Sequence, residues 1–207
     1  MLKSLDAISF PPKSGNQPQG LFVVLHGWGA NSQDLASLVP FLDLRDYQFV
    51  FPNATFPHDL VPEGRQWYNL EDRNFTGLSE SRAVLTDWLQ SLASSTGIPL
   101  SKTVLAGFSQ GGAMTLDVGM SLPLAAMCSF SGYLHSPLQK PVTPRPILIV
   151  HGRQDQVVPL SAAHQIRAQL TELDVTLDYR EFDMGHEIRP EVLTLIHSFL
   201  KSNLLLI

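Results

Sequence analysis

The sequence predicts an α/β protein whose mostly parallel sheet carries helices on both faces. Short runs of apolar, β-branched and aromatic residues recur along the chain, as is typical of strands buried on both faces. Segments with the apolar spacing of helices lie between these runs, and this alternation indicates βαβ units. Hydrophobic residues make up 44% of the 207 residues and charged residues only 16%, which indicates a large buried core and excludes general disorder.

The predicted strands are short and mostly continuous in their apolar character. Five such runs lie at residues 21–25, 48–51, 103–106, 126–130 and 147–150. A sixth segment, residues 175–182, alternates apolar and polar residues more clearly, which favours a position nearer an edge of the sheet.

The predicted helices lie between and after these strands, at residues 34–44, 79–93, 110–120, 161–173 and 190–200. The pattern is strongest at 79–93, where apolar residues follow the i, i+3, i+4 spacing and Gly97 lies beyond as a stop signal. Ser161 is the expected N-cap of the fourth helix. Pro190 suits the first turn of the last helix.

Composition limits the functional classes. We expect one domain over residues 1–207, because no repeat, low-complexity block or linker divides the chain. A formal net charge of −5 without a basic stripe disfavours nucleic-acid binding. The single cysteine, Cys128, excludes an internal disulfide or a zinc knuckle and fits a reducing compartment. No apolar run approaches the ~20 residues of a transmembrane helix, and the N-terminus lacks the features of a signal peptide. We therefore expect a cytoplasmic protein without a metal or cofactor, and the sequence leaves open whether it is a homodimer.

The segment Gly-Phe-Ser-Gln-Gly at 107–111 matches the G-x-S-x-G motif. It follows the predicted strand 103–106 and precedes a predicted helix, which is the placement of a nucleophile elbow. Such a sharp turn strains the serine and leaves no room for side chains two residues to either side, hence the glycines. We predict that Ser109 is a nucleophile; the alternative is a glycine-rich loop with an incidental serine.

A serine hydroxyl needs a base to take its proton. His186 is our candidate, because it lies in the loop after the last predicted strand and can reach back to the elbow. His26 and His151 each end a strand ahead of a glycine and suit a structural role near the site.

An acid must orient that imidazole and stabilise its charged form. Asp155 follows the strand 147–150 and therefore lies at the same edge of the sheet as the elbow, where open α/β sheets place their sites. Asp183, three residues before His186, is the rival candidate, with a loop or capping carboxylate as its plain alternative.

Acyl transfer also needs two donors for the developing negative oxygen. The backbone N–H of Gln110, directly after the serine, is the first. The second is assigned to the N–H of Trp28, which lies between Gly27 and Gly29 after the strand 21–25. Otherwise the glycines merely end the strand and Trp28 is an ordinary aromatic residue.

Together these motifs resemble the phospholipase/carboxylesterase family, which includes acyl-protein thioesterases and small bacterial carboxylesterases. The matching segments occur in order over nearly the whole chain, at 26–29, 107–112, 151–159 and 185–186. The resemblance implies an α/β-hydrolase fold without a large lid domain. It also implies a triad of Ser109, Asp155 and His186, with Trp28 and Gln110 as backbone oxyanion donors.

Two departures from the family pattern bear on the substrate. Ala30 and Asn31 follow the first glycine turn, where many members carry Asp, and Asn69 follows Trp67-Tyr68, where the family often has Asp. The triad pattern is unaffected by these changes, which concern the choice of substrate.

The long connection 53–77 is rich in aromatic residues, namely Phe56, Trp67, Tyr68 and Phe75. Connections this long in a compact domain are usually functional or disordered, and this one is too aromatic for disorder. One hypothesis is that these aromatic residues bind substrate by lining an acyl pocket. The alternative, which the sequence favours equally, is that they pack into a small core of their own.

The sequence therefore predicts a serine carboxylesterase that acts through an acyl-enzyme on Ser109. A long-chain acyl thioesterase or lysophospholipase is the alternative within the enzyme class, and a peptidase is a weaker one. A non-enzymatic binding module on the same fold is the alternative outside it.

Overall fold

The computed structural model describes residues 4–72 and 74–204. The strands are β1 (Ala7–Phe10), β2 (Gly20–Leu25), β3 (Tyr47–Pro52), β4 (Phe56–Pro57), β5 (Arg65–Gln66), β6 (Thr103–Phe108), β7 (Ala126–Phe130), β8 (Ile147–Gly152) and β9 (Leu177–Phe182). The α-helices are α1 (Ser32–Ala36), α2 (Leu78–Thr96), α3 (Gln110–Gly119), α4 (Leu160–Glu172) and α5 (Pro190–Leu204).

Seven of the described strands form one sheet in the order β1-β3-β2-β6-β7-β8-β9. Every neighbouring pair is parallel except β1 and β3, which are antiparallel. The short strands β4 and β5 pair separately, within the long connection between β3 and α2. This confirms the predicted α/β class with its mostly parallel sheet.

Both faces of the sheet are covered. In β2, Leu21, Val23 and Leu25 belong to one core cluster, which also holds residues of α2, α3 and α4. Phe22 and Val24 point to the opposite face, into a second cluster that holds residues of α5. Because successive side chains of a strand alternate between faces, a strand covered on both sides is apolar throughout, as the sequence pattern indicated.

The predicted helix at 34–44 is wrong in its extent. The structure has the short helix α1 at Ser32–Ala36 and then a separate 3₁₀ turn at Val39–Phe41. Pro40 explains the break, because proline lacks the N–H that an α-helix would need there. Asn31, one of the departures from the family pattern, caps α1 through a reciprocal pair of hydrogen bonds with Asp34 and the helix backbone.

Two other details differ from the expectations. Helix α4 begins at Leu160 with Pro159 as its N-cap, so Ser161 lies inside the helix and is not the cap. Strand β1 was not predicted. The edge position predicted for the segment 175–182 is confirmed, since β9 is the last strand of the described sheet, next to β8.

Over residues 4–72 and 74–204, no helix combines the length and apolar character needed to cross a bilayer. In the same ranges, no group of three or more His, Cys, Asp and Glu side chains is arranged to hold a metal ion.

Candidate active site

Ser109 lies at the tip of the turn from β6 into α3, in a strained conformation with φ 55° and ψ −118°. Its N–H donates to the carbonyl of Phe130, 2.8 Å away, at the end of the neighbouring strand β7. A Cβ on Gly107 would lie 2.2 Å from the carbonyl oxygen of Gly111, and one on Gly111 would lie 2.2 Å from that of Leu25. The glycines are therefore sterically required, and the surrounding backbone holds the serine in its strained state.

Asp155 and His186 are brought together from two different strand ends. The Nδ1 of His186 lies 2.8 Å from Asp155 Oδ2, while Asp155 Oδ1 accepts the N–H groups of Val157 and Val158, each at 2.9 Å. Burial opposes ionisation of Asp155, but these hydrogen bonds outweigh it and hold the pKa of the carboxyl below its ordinary value. His151 supports the loop, with its Nε2 2.8 Å from the carbonyl oxygen of Val158.

The rival acid, Asp183, lies elsewhere. Its side chain is 76% exposed and forms an ion pair with Arg153 at the surface. The ring of His186 instead packs on Phe108, the residue before the nucleophile, with the centroids 4.6 Å apart. The structure therefore places His186 beside the elbow, with Asp155 behind it.

The loop after β2 runs directly beside the elbow. Strands β2 and β6 are parallel neighbours with Leu25 opposite Gly107, and a Cβ on Gly27 would lie 3.3 Å from Ser109 Cβ. The N–H of Trp28, the next residue, has no acceptor among the residues that the structure describes. At the start of α3, the N–H of Gln110 is likewise one of the first four in a helix, which lack partners within it. Both predicted oxyanion donors thus occur on segments adjacent to Ser109.

The side chain of Gln110 makes contacts that the sequence did not reveal. It is fully buried, and its Oε1 accepts the backbone N–H of Trp67 at 2.9 Å. Its Nε2 donates to the carbonyl of Tyr68 at 2.8 Å. The indole Nε1–H of Trp67 in turn donates to the carbonyl of His26, at 3.0 Å. No local pattern signals these bonds, because Gln110 and Trp67 are 43 residues apart in the sequence.

His26 has the structural role that its position suggested. Its Nδ1–H donates to the carbonyl of Gly27 at 2.7 Å, and its Nε2 accepts the N–H of Ala54 at 2.9 Å. This pair of bonds requires the neutral imidazole. Burial accordingly lowers the pKa of His26 to about 4.

The aromatic residues of the long connection separate into two groups. Trp67 and Tyr68 are 0% exposed, so neither presents surface to a substrate, and the prediction that they line a pocket is wrong. Phe75 packs edge-on against Tyr68, with centroids 5.5 Å apart, as in a small core. Phe56 is only half-buried and lines an open groove beside Gly77, so it remains the substrate-binding candidate of this set.

Tyr68 also anchors a buried polar chain. Its hydroxyl hydrogen-bonds to the hydroxyl of Tyr133 and lies 2.6 Å from Nε2 of His135. The Nδ1 of His135 is 3.2 Å from Asp117, which is ion-paired with Arg82. Burial raises the pKa of Tyr133 to about 12 and that of Tyr68 further still, so both phenols stay protonated. This chain fixes the segment behind the elbow to α2, α3 and the loop after β7.

Comparisons with known proteins identify relatives of this chain. The family model for phospholipases and carboxylesterases matches residues 11–204. Acyl-protein thioesterase 1 from Eremothecium gossypii is 29% identical over 206 residues, covering 88% of this chain and 87% of the relative. Esterase YpfH from Escherichia coli is 31% identical over 196 residues, covering 86% and 81%.

Solved structures show the same fold. The crystal structure of esterase PE8 aligns with a TM-score of 0.88 and 31% identity, over 97% of this chain and 100% of that one. Acyl-protein thioesterase 2 from Zea mays aligns with a TM-score of 0.79 over 96% and 99%, and at 21% identity it supports the fold alone. From its motifs, its architecture and these relatives, the chain belongs to the phospholipase/carboxylesterase family of α/β-hydrolases.

Proposed function

We propose that this family member is a serine carboxylesterase that forms an acyl-enzyme on Ser109. The observation that carries the proposal is the 2.8 Å contact between His186 and Asp155 beside a serine held at φ 55°. Since Asp155 is ionised, it favours the tautomer of His186 with the proton on Nδ1, and Nε2 is then free to accept a proton.

In the first half-reaction, His186 Nε2 takes the proton of the Ser109 hydroxyl as Oγ attacks the ester carbonyl carbon. The carbonyl oxygen becomes negatively charged, and the N–H groups of Trp28 and Gln110 stabilise it. The imidazolium, paired with Asp155, then gives its proton to the departing alcohol oxygen, and the acyl group remains on Ser109.

In the second half-reaction, a water molecule loses its proton to His186 Nε2 and attacks the acyl carbon. The same two N–H groups stabilise the second tetrahedral intermediate. Its collapse returns the proton from His186 to Ser109 Oγ and releases the carboxylic acid. The enzyme is regenerated without any further reactant.

Long-chain acyl thioesters or lysophospholipids are the second candidate substrates. Apolar side chains are exposed close to the proposed oxyanion loop, with Trp28 38%, Val61 42% and Leu60 75% exposed. Val61 adjoins this loop, because its Cγ2 would lie 3.6 Å from a Cβ on Gly29. Such surface suits an acyl chain, and several relatives are named acyl-protein thioesterases.

The test is covalent labelling by a fluorophosphonate probe together with hydrolysis of p-nitrophenyl esters. We expect Ser109→Ala to abolish labelling and to remove most of the hydrolysis. Ser121→Ala, beyond the far end of α3, is the matched control and should retain both. Labelling of Ser109→Ala at the rate of the unmodified protein would overturn the proposal. Parallel assays with oxyesters and thioesters of acetyl to dodecanoyl length distinguish the two substrate classes.

A further inference from the structure

We propose that Trp67 is a positioning residue that holds the two oxyanion donors at a fixed separation; this rests on the proposed function. The donors lie on separate segments, the loop after β2 and the first turn of α3. Trp67 is bonded to both. Its backbone N–H donates to the side chain of Gln110, at 2.9 Å, and its indole N–H donates to the carbonyl of His26, at 3.0 Å.

The neighbours of Trp67 complete this connection. The carbonyl of Tyr68 accepts from Gln110 Nε2, so the Gln110 amide pairs with two successive backbone groups. The carbonyl of Trp67 accepts a hydrogen bond from the hydroxyl of Ser81, a buried residue of α2. Trp67, Gln110 and Ser81 are all fully buried, where hydrogen bonds are not replaced by water.

The loop that carries Trp28 needs such support. Gly27 and Gly29 flank Trp28 and leave its peptide groups conformationally free, with Gly29 at φ 77°. The downstream side is tied to Arg65, whose carbonyl accepts the N–H of Gly29 at 2.9 Å. The upstream side is tied at the His26 carbonyl by the indole of Trp67. The Gly27 carbonyl, which belongs to the same peptide group as the Trp28 N–H, accepts from His26 Nδ1 at 2.7 Å. The Trp67 indole therefore holds the residue whose ring orients that peptide.

Loss of this restraint should affect the transition state more than the bound ester. Oxyanion donors act by being preorganised toward the charged oxygen, whereas a neutral ester carbonyl gains much less from them. Because Trp67 is fully buried, it contacts no substrate, and the effect should be the same for every acyl chain. A pocket wall, by contrast, would affect long chains more than short ones.

The decisive variant is Trp67→Phe, which keeps an aromatic ring and the backbone bond to Gln110 but removes the indole N–H. The matched control is Trp88→Phe, since Trp88 is a 6% exposed tryptophan in the middle of α2. Both are compared with the unmodified protein for kcat and KM on p-nitrophenyl esters from acetyl to dodecanoyl. Affinity for a boronic acid inhibitor, which forms a tetrahedral adduct, is measured in parallel.

We expect Trp67→Phe to lower kcat about ten- to a hundredfold, less than deletion of a donor would, with KM changed less than about threefold. The loss of kcat should be the same for all acyl chain lengths, and the affinity for the boronic acid should fall by a similar factor. The kcat of Trp88→Phe should stay within about twofold of that of the unmodified protein. An unchanged kcat, or a factor that grows with acyl length, would overturn the inference.

A second substitution covers the case in which Trp67→Phe does not fold. It places β-(3-benzothienyl)alanine at position 67, which keeps the shape of the indole and lacks its N–H. The same loss of kcat is expected from it, and full activity would refute the role of the N–H. Hydrolysis and Ser109 labelling by the unmodified protein and Trp88→Phe test the proposed function separately. Failure of those two readouts would refute the function, whereas normal readouts beside an unaffected Trp67→Phe would refute only the positioning role.

Discussion

Acid should destabilise this protein through His26. The imidazole is 1% exposed, and its Nε2 must stay unprotonated to accept the N–H of Ala54. Its pKa is about 4 in the folded state, against about 6.5 for an unfolded chain. Between these two pKa values, the unfolded state therefore binds more protons than the folded state. His26 leaves the free energy of unfolding unchanged above about pH 6.5 and lowers it as the pH falls toward 4.

The size of this effect follows from the two pKa values. At pH 5 they correspond to a loss of about 2 kcal/mol in the free energy of unfolding relative to pH 7. For a chain of 207 residues, that lowers Tm by roughly 4–8 °C.

Urea denaturation at pH 7 and pH 5 measures this loss directly. His26→Gln should be less stable at pH 7, but its change between the two pH values should be smaller than that of the unmodified protein by about 2 kcal/mol. Trp88→Phe removes no titratable group, so it serves as the control and should keep the original pH dependence. Equal pH dependence in His26→Gln and the unmodified protein would refute the reasoning.

Three further predictions concern the acid, the elbow and the acyl group. Asp155→Asn should lower kcat about 10³- to 10⁴-fold while Asp183→Asn retains activity, and the reverse result in a steady-state assay would move the acid's role to Asp183. Gly107→Ala forces a Cβ within 2.2 Å of backbone and should cost about 2–3 kcal/mol in urea denaturation. Gly185→Ala is the control, because the nearest atom to a Cβ at that position is 4.0 Å away. Similar losses of stability in the two variants would contradict the steric argument. If Phe56 lines the acyl site, kcat/KM should rise about fourfold per methylene, and Phe56→Ala should flatten this dependence; equal slowing of acetyl and dodecanoyl esters would argue against it.

The sheet was predictable because its signals are local. A strand covered on both faces must be apolar at every residue, and the runs that met this condition became β2, β3, β6, β7 and β8. The pairing of Asp155 with His186 followed from one rule, since the carboxyl ends of parallel strands meet at one edge. Strand β1 escaped prediction because it is only four residues long and half exposed at the antiparallel edge.

The supporting contacts of the site were not predictable, because they join distant parts of the chain. Gln110 was singled out for its backbone N–H, yet its side chain reaches Trp67 across 43 residues. An aromatic residue in a long connection suits a pocket wall and a buried support equally well. Only the indole bond to His26 and the complete burial of Trp67 distinguish the two roles.

The edge position of β9 has a consequence for how activity is lost. Native proteins open locally, and an edge strand with half-buried residues and one pairing partner belongs to the less stable end of that range. His186 follows β9, whereas Ser109 follows β6 at the centre of the sheet. Local unfolding of β9 therefore displaces His186 from the site while the turn that carries Ser109 stays folded. Hydrogen exchange in β9 and loss of hydrolysis should therefore respond together to mild denaturant, before β6 exchanges.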